Sequence, residues 1–432
     1  MDIKTVQGRL KHEGLSFFTI TLPQFGKDFQ KSLDQGVVDR KLFQGFSWKA
    51  GLPRFLGGFL DRVFCRASGT LLDNPDIDAI LAIRQLTLIY SKMLLPCSDT
   101  RLRATMSSYV QCESEVRYHD AMLRPSDLDR YSELCDIAFA SIFSRVDSQV
   151  YNRELVPKHG PGATADKLRG NAKYRNVTWT DRLEEYFPAG EYLFTSFSHF
   201  SECYDQLNYR DPGSETPSKV VSVPKTQKTP RIIAIEPTCM QYAQQAVLEA
   251  LNSQIDGSYL RQFISSQSQT PNQRLAREGS YNGNLATLDL SEASDRVSNQ
   301  HVRAMLRHFP NLHGAVDACR TRKADVPGHG VIRLAKFASM GSALCFPFEA
   351  MHFFVCILFG IEKSLNVPFR SVADICQYTQ QVRVYGDDLI IPSRFVHSVI
   401  ESLELFGARP GSDKSFWIGK FRESCGKEYY NG

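Results

Sequence analysis

Apolar residues change their spacing along this chain. Between residues 75 and 95 they recur at helical intervals. Ile77, Ile80, Leu81, Ile83, Leu86, Leu88 and Ile89 supply a broad face. Asn74 is placed to cap the start, Pro75 to sit in the first turn, Asp76 beside the positive dipole end, and Pro96 to stop the helix. Residues 151–180 lose that period, gain Gly, Pro and basic side chains, and read as loop. A second loop, 211–218, holds Pro212, Gly213 and Pro217 and is the expected boundary between an N-terminal region, 1–215, and a C-terminal region, 216–432. Beyond it the pattern is more regular. Strands are expected at 220–223, 232–235, 284–290, 382–384 and 389–391, and helices at 239–251, 300–309, 342–360 and 396–406. Strand, helix, strand-turn-strand, helix is an α+β order.

Composition narrows the class without naming it. Of 432 residues, 42% are hydrophobic and 23% charged, as in an ordinary folded protein. A net charge of +4 does not by itself argue for nucleic acid. The 11 cysteines are scattered with no CxxC pair, which gives no support to a zinc site and suits a reducing compartment. The N-terminus lacks the apolar core of a signal peptide. The most apolar stretch, 343–361, is interrupted by Pro347, Glu349 and His352 and reads as a buried core helix, so no membrane is expected.

Candidate chemistry sits on two acidic strand ends. Tyr385-Gly386-Asp387-Asp388 lies between two apolar β-type runs, which places both carboxylates at a hairpin tip with Gly386 supplying the turn. Adjacent carboxylates repel unless a cation joins them, and hard oxygen ligands favour Mg²⁺ or Mn²⁺. Taken alone, the tetrapeptide suits an ordinary type I′ turn equally well. Leu285 to Leu290 is a second β-type run carrying Asp289 near its end, followed by Asp295. If Asp289 faces the tip, three carboxylates can surround two metals roughly 3.5–4 Å apart. Asp295 can then accept a hydrogen bond from a ribose 2′-hydroxyl, although singly it suits a helix cap or first turn.

These residues carry a resemblance. Asp289 to Asp295, Ser339-Met340-Gly341 and Tyr385 to Asp388 come in the order of motifs A, B and C of viral RNA-dependent RNA polymerases. Gln269 to Arg274 with Glu278-Gly279-Ser280, and Phe421 to Lys427, narrow the likeness to the replicase catalytic subunit of positive-strand RNA bacteriophages, the levivirus group. The likeness is dense from Lys219 to Gly432 and thinner at His159 to Thr164 and Leu22 to Asp28. It implies a right-hand polymerase with fingers from the N-terminal half, an antiparallel palm sheet and a short or missing thumb. It implies the chemistry of RNA-directed RNA synthesis with two Mg²⁺ ions on Asp289, Asp387 and Asp388. Its ligands would be an RNA template, nascent RNA and nucleoside triphosphates. Elongation factors Tu and Ts would be its host partners, in the cytoplasm of a bacterial cell. Ser342 departs from the Asn of the best-known members. The chain ends soon after the motif E-like block, where those enzymes continue into a thumb, so either a C-terminally incomplete chain or an unusually short thumb is expected.

The resemblance also gives roles to basic residues. Residues 216–235 contain Lys219, Lys225, Lys228 and Arg231 and no acid, a phosphate-binding strip that corresponds to motif F. Lys158 to Arg175 is a second basic stretch, equally readable as plain surface. Gly341 lets the backbone approach template or ribose closely, with Ser339 and Ser342 beside it. Lys414 corresponds to motif D, a proton donor to the leaving pyrophosphate, and Phe421 to Cys425 to the turn beside the nascent 3′ end. Two rivals stand against this reading. A reverse transcriptase shares the carboxylate hairpin, but Asp295 argues for ribose. A non-catalytic RNA-binding subunit keeps the fold, but all three carboxylates argue for catalysis.

Overall fold

The computed structural model describes residues 2–194, 196–411 and 413–432. It is a mixed α and β protein whose strands form several small sheets rather than one large one. The sheet that matters for function has three antiparallel strands. Asp388–Pro392 lies in the middle, flanked by Arg383–Tyr385 and Leu285–Asp289. A second sheet of four strands runs in the order Arg231–Ile235, Ser218–Val223, Lys323–Val326 and Gly330–Arg333. Its two middle strands are parallel and the outer pairings antiparallel. A C-terminal hairpin joins Phe421–Ser424 to Lys427–Tyr430.

The main core draws on buried residues from Tyr131 to Ala408 and is centred on the helix Cys345–Leu365. That helix is long and apolar enough to cross a bilayer, but 83% of its apolar window is buried inside the protein. Its apolarity is explained by packing on all sides, as the interrupting Glu349 and His352 suggested. It meets the helices Pro125–Tyr151 and Val396–Leu405. A second, aromatic core gathers Phe17, Phe25, Phe29, Phe43 and Phe64 with Ile80 and Ile83. Phe416 and Phe421 enter it from the far end of the sequence. The N-terminal segment is thereby fixed against the C-terminal hairpin.

The expected strands and helices at 220–223, 232–235, 239–251, 284–290, 300–309, 342–360, 382–384, 389–391 and 396–406 all form, with ends shifted by a few residues. The 151–180 loop contains one 3₁₀ turn, Gly170–Arg175, and the short strand Thr178–Thr180. The 75–95 expectation needs correcting. The helix runs only from Ile77 to Leu88, and Asp76, not Asn74, caps it by accepting from the Ala79 amide. Ile77, Leu81, Leu86 and Ile89 face solvent. Ile80 and Ile83 of the expected face do turn inward, and a polar residue joins them there. Arg84 is buried, donates to the Gly26 carbonyl at 2.7 Å and pairs with Glu428 of the C-terminal hairpin. A buried guanidinium left without those partners would cost several kcal/mol, on the order of what two or three apolar side chains return. All eleven cysteines are free thiols.

Candidate active site

Strand register brings the acidic residues together. Asp388 is the direct antiparallel partner of Asp289, and the pairs Leu389 with Leu288 and Ile390 with Thr287 continue the ladder into the core. Tyr385 pairs with Asp388, leaving Gly386 and Asp387 as a two-residue turn. Gly386 has φ 59°, while Asp387 is not in the left-handed region. Positive φ at the first central position alone is the II′ pattern rather than I′. A Cβ on Gly386 would also meet the Phe346 ring at 2.8 Å. Like charges directly opposite one another destabilise a sheet. Loss of hydration between the cleft walls raises the Asp387 carboxyl, and Asp289 and Asp388 raise it further. Asp388 is raised by burial first and by Asp289 as well, while the Cys425 amide and Ser424 hydroxyl, both donating to its Oδ1, pull it back.

The cation beside this cluster is Lys414. Pro410 and Phe416 form isolated antiparallel bridges with Leu290 and Thr287. Thr287 and Phe416 exchange both backbone bonds, and the Gly411 amide donates to the Asp289 carbonyl at 2.8 Å. This places Lys414 Nζ 2.9 Å from Asp289 Oδ1. Burial lowers the Lys414 ammonium, but Asp289, with Glu423 and Asp387, outweighs burial and holds it above its ordinary value.

The basic strip divides. Lys225 and Lys228 lie in the turn between Ser218–Val223 and Arg231–Ile235, and Arg231 opposite Val223 closes that turn. Desolvation, Arg231 and Lys414 lower Lys225, against the pull of Asp387 and Asp289, so this lysine faces the acidic cluster. Lys219 stands at the other end of its strand, opposite Ile235, about 13 Å from Val223 at the usual strand rise. The structure does not bring it to the turn. Arg101 and Thr19 bind Gln227, which ties the turn to the N-terminal region.

Ser339 to Ser342 form a loop held on the same strand. The Ala234 amide donates to the Met340 carbonyl at 2.8 Å. Gly341 has φ 128°, and a Cβ there would stand 2.1 Å from the Ala234 carbonyl oxygen. The Ser342 hydroxyl donates to Gln244 Oε1 at 3.1 Å, and the Gln244 amide reaches the buried Glu236. Asp295 occupies the short helix Ala293–Arg296 and is one-fifth exposed. Its Oδ1 accepts from Lys336 at 2.9 Å. Lys336 is fully buried, also pairs with Glu113, and lies 3.6 Å from the centre of the Tyr109 ring. The Tyr109 hydroxyl shares a hydrogen bond with Ser339 at 2.8 Å.

Several of these partners carry no local sequence signal. Lys336, Glu113, Tyr109 and Gln244 are ordinary helix or loop residues whose meaning comes from contacts across the fold. Glu423 is pushed up to about 7 by burial and by Asp388. Buried Glu349 is pushed well up by burial, with Asp387 and Asp295 adding to it. Lys27 faces Lys228, Asp413, Lys414 and Asp289; the Leu22 to Asp28 block was the signal available for it. Lys173 is buried and donates to the Gly160 and Gly162 carbonyls, so it closes its own loop instead of facing a ligand. Three carboxylates form a hard-oxygen donor set of the kind that takes Mg²⁺. Among the described residues, no group of three or more His, Cys, Asp or Glu is gathered closely enough to hold an ion.

The acidic β-hairpin is thus opposed by a third strand-end carboxylate, with Lys414 paired to it and Lys225 facing the cluster. The family model "RNA replicase, beta-chain" matches residues 199–432, and the chain belongs to this family. The RNA-directed RNA polymerase beta chain of Enterobacteria phage fr is 35% identical over 218 residues, 49% of this chain and 36% of that one. The corresponding subunit of Escherichia virus Qbeta is 38% identical over 217 residues, 50% of this chain and 34% of that one. The match thus spans little more than a third of these relatives' own length. Among solved structures, the BmCPV RNA-dependent RNA polymerase at elongation state is similar at 11% identity and TM-score 0.42, over 70% of this chain and 28% of that one.

Proposed function

We propose that this chain carries the catalytic centre of a template-directed RNA polymerase that copies viral RNA from RNA, joining nucleoside triphosphates to an RNA 3′ end with release of pyrophosphate. The observation that carries this reading is the register pairing of Asp289 with Asp388, one residue from Asp387 at the turn. In this reading the three-stranded sheet is the palm, and residues 1–215 with the basic strip are the fingers.

Lys225, Lys228 and Arg231 collect the triphosphate by charge, with Lys27 behind them. Asp295, oriented by Lys336, accepts from the ribose 2′-hydroxyl. Gly341 gives backbone access to the template or ribose, with Ser339 and Ser342 at its sides and Tyr385 and Gly386 shaping the tip. Lys414 holds a proton for the leaving pyrophosphate. Asp289, Asp387 and Asp388 suit two Mg²⁺ ions, or Mn²⁺ in their place, by donor chemistry and by the mutual repulsion a cation would relieve. Such ions, when bound, supply a lowered pKa at the attacking 3′-hydroxyl and charge compensation at pyrophosphate. A cation on Asp289 would share the carboxylate with Lys414, which holds Oδ1, and weaken that pair. The chain's own work is otherwise positioning and charge stabilisation.

The partners proposed are RNA template, nascent RNA and nucleoside triphosphates, with elongation factors Tu and Ts by family resemblance, in the cytoplasm of a bacterial host. Primer extension on an RNA template tests the reading, with Asp387→Asn as control. Incorporation by the unaltered chain and none by the variant is expected; equal incorporation by both would leave the chain a non-catalytic RNA-binding subunit. Preference for deoxynucleotides would make it a reverse transcriptase instead.

A further inference from the structure

A second basic feature lies away from the acidic turn. Arg383 begins the strand that leads to it and pairs with Ile390, two register steps before the Tyr385–Asp388 pair. At the usual strand rise that is about 7 Å along the sheet. Its side chain leaves the sheet and lines a cavity of about 650 Å³ together with Arg261, Ser265, Gln267, Ser268 and Asp256. The helix Thr270–Asn282 starts at this cavity, through Pro271, and its N-cap residue Gln269 makes no side-chain capping bond.

Arg383 is 7% exposed, and its Nε has no hydrogen-bond partner. Nη1 donates to the Arg261 carbonyl at 2.7 Å. Among the described residues no carboxylate pairs with this guanidinium. Burial disfavours its charge, and Arg274 and Arg261 disfavour it further. The one acid in the lining, Asp256, already accepts from Gln267. Buried arginines are ordinarily matched by a carboxylate, because an unmatched one costs several kcal/mol. Arg84, Arg182 and Arg296 of this same chain are so matched, and the equally buried Arg320, which has no carboxylate pair among the described residues, gives its Nε and Nη2 to three backbone carbonyls. Arg383 instead keeps an unpartnered, solvent-shielded Nε at the wall of a cavity that it lines with a second arginine and three serines.

We infer that this cavity is a phosphate-binding pocket, with Arg383 and Arg261 as its anchoring cations, separate from the carboxylate turn. The guanidinium fork matches phosphate oxygens, and the serine hydroxyls of the lining are further donors to them. The phosphate is carried either by the backbone of single-stranded RNA or by a free nucleotide.

Arg261→Gln alters an exposed side chain, and Arg383→Gln removes the buried charge. In thermal unfolding of the full chain, inorganic phosphate is expected to raise the melting temperature above a chloride control of equal ionic strength. Both variants should show a clearly smaller rise, and Arg383→Gln should be at least as stable as the unaltered chain in chloride. Two arms then separate the sources. With fluorescein-labelled oligouridylate, the slope of log affinity against log salt should fall by about one per arginine removed if RNA backbone is the ligand. An unchanged slope with weakened ATP binding in the absence of divalent cations assigns the pocket to a nucleotide phosphate. No phosphate effect on the unaltered chain, or the same effect in all three proteins, overturns the inference. None of these readouts needs nucleotide incorporation. An Asp387→Asn protein must give the same binding results, so failure of the polymerase reading and failure of the pocket are distinguishable.

Discussion

Asp289 and Asp388 face each other as register partners across two antiparallel strands, with a lysine closing on the first and a backbone amide on the second. A like-charged cross-strand pair is a stability cost that a sheet avoids unless the charges have a use.

The first prediction follows from that cost. Asp387→Asn should reduce incorporation by at least about a hundredfold, as loss of a principal electrostatic group does. The same variant should melt at a higher temperature than the unaltered chain, since it removes repulsion. Activity and calorimetry on one preparation check both; loss of activity with a lower melting temperature would mean mere misfolding.

Lys414 and a divalent cation compete for Asp289. Lys414→Ala should therefore be destabilised in EDTA by about 1 kcal/mol, in the range of a partly exposed pair. Added Mg²⁺ should stabilise this variant more than it stabilises the unaltered chain. Equal stabilisation of both, measured by thermal unfolding, would remove the competition.

Lys336 is the only cation touching both Asp295 and Glu113 among the described residues. Lys336→Met should cost about 3–5 kcal/mol, because it leaves buried Glu113 and partly buried Asp295 without the cation between them. Tyr109→Phe is the gentler probe: it keeps the ring over Lys336 and loses only the Ser339 bond. Its folding should be nearly unchanged, while its preference for ribo- over deoxynucleotides falls. An unaltered preference would make the tyrosine purely structural.

Gly341→Ala should cost more than about 2 kcal/mol, or displace the loop, because the added Cβ collides with the Ala234 carbonyl where φ is already unfavourable for other residues. Urea unfolding measures the cost. Full stability with full incorporation would show that the loop and the Arg231–Ile235 strand move independently.

Glu236 supplies the pH prediction. Burial raises it to about 7, despite bonds from Thr321 and Gln244. A carboxyl raised on folding binds its proton more tightly in the native state. Its stabilisation is whole below the unfolded value, near 4.5, and is lost as pH climbs through 7. Glu236→Gln should flatten the fall in melting temperature between those limits and be more stable than the unaltered chain at pH 8. A parallel fall in both proteins would assign the dependence elsewhere.

Much of this was legible in the chain. Apolar β-type runs marked the strands expected at 284–290 and 389–391, because a strand buried on both faces must be apolar along nearly its whole length while its end carries the acid. The order of acidic, glycine and basic blocks marked the family. The 75–95 segment was misread in its limits and in the breadth of its face, of which Ile80 and Ile83 alone are buried, because a helix buries what its neighbours offer. There the neighbour was Glu428, far along the chain, reaching for Arg84.

Local sequence determined which residues form strands, where Gly386 permits a turn, and that three carboxylates and a lysine-rich strip were available. Tertiary structure alone decided that Asp289 stands opposite Asp388, that Lys414 rather than Lys219 reaches them, and that Lys336 and Arg383 are buried, one paired and one not. Those outcomes depend on strand register and on contacts between segments hundreds of residues apart, where local propensity has no say and desolvation and charge pairing decide.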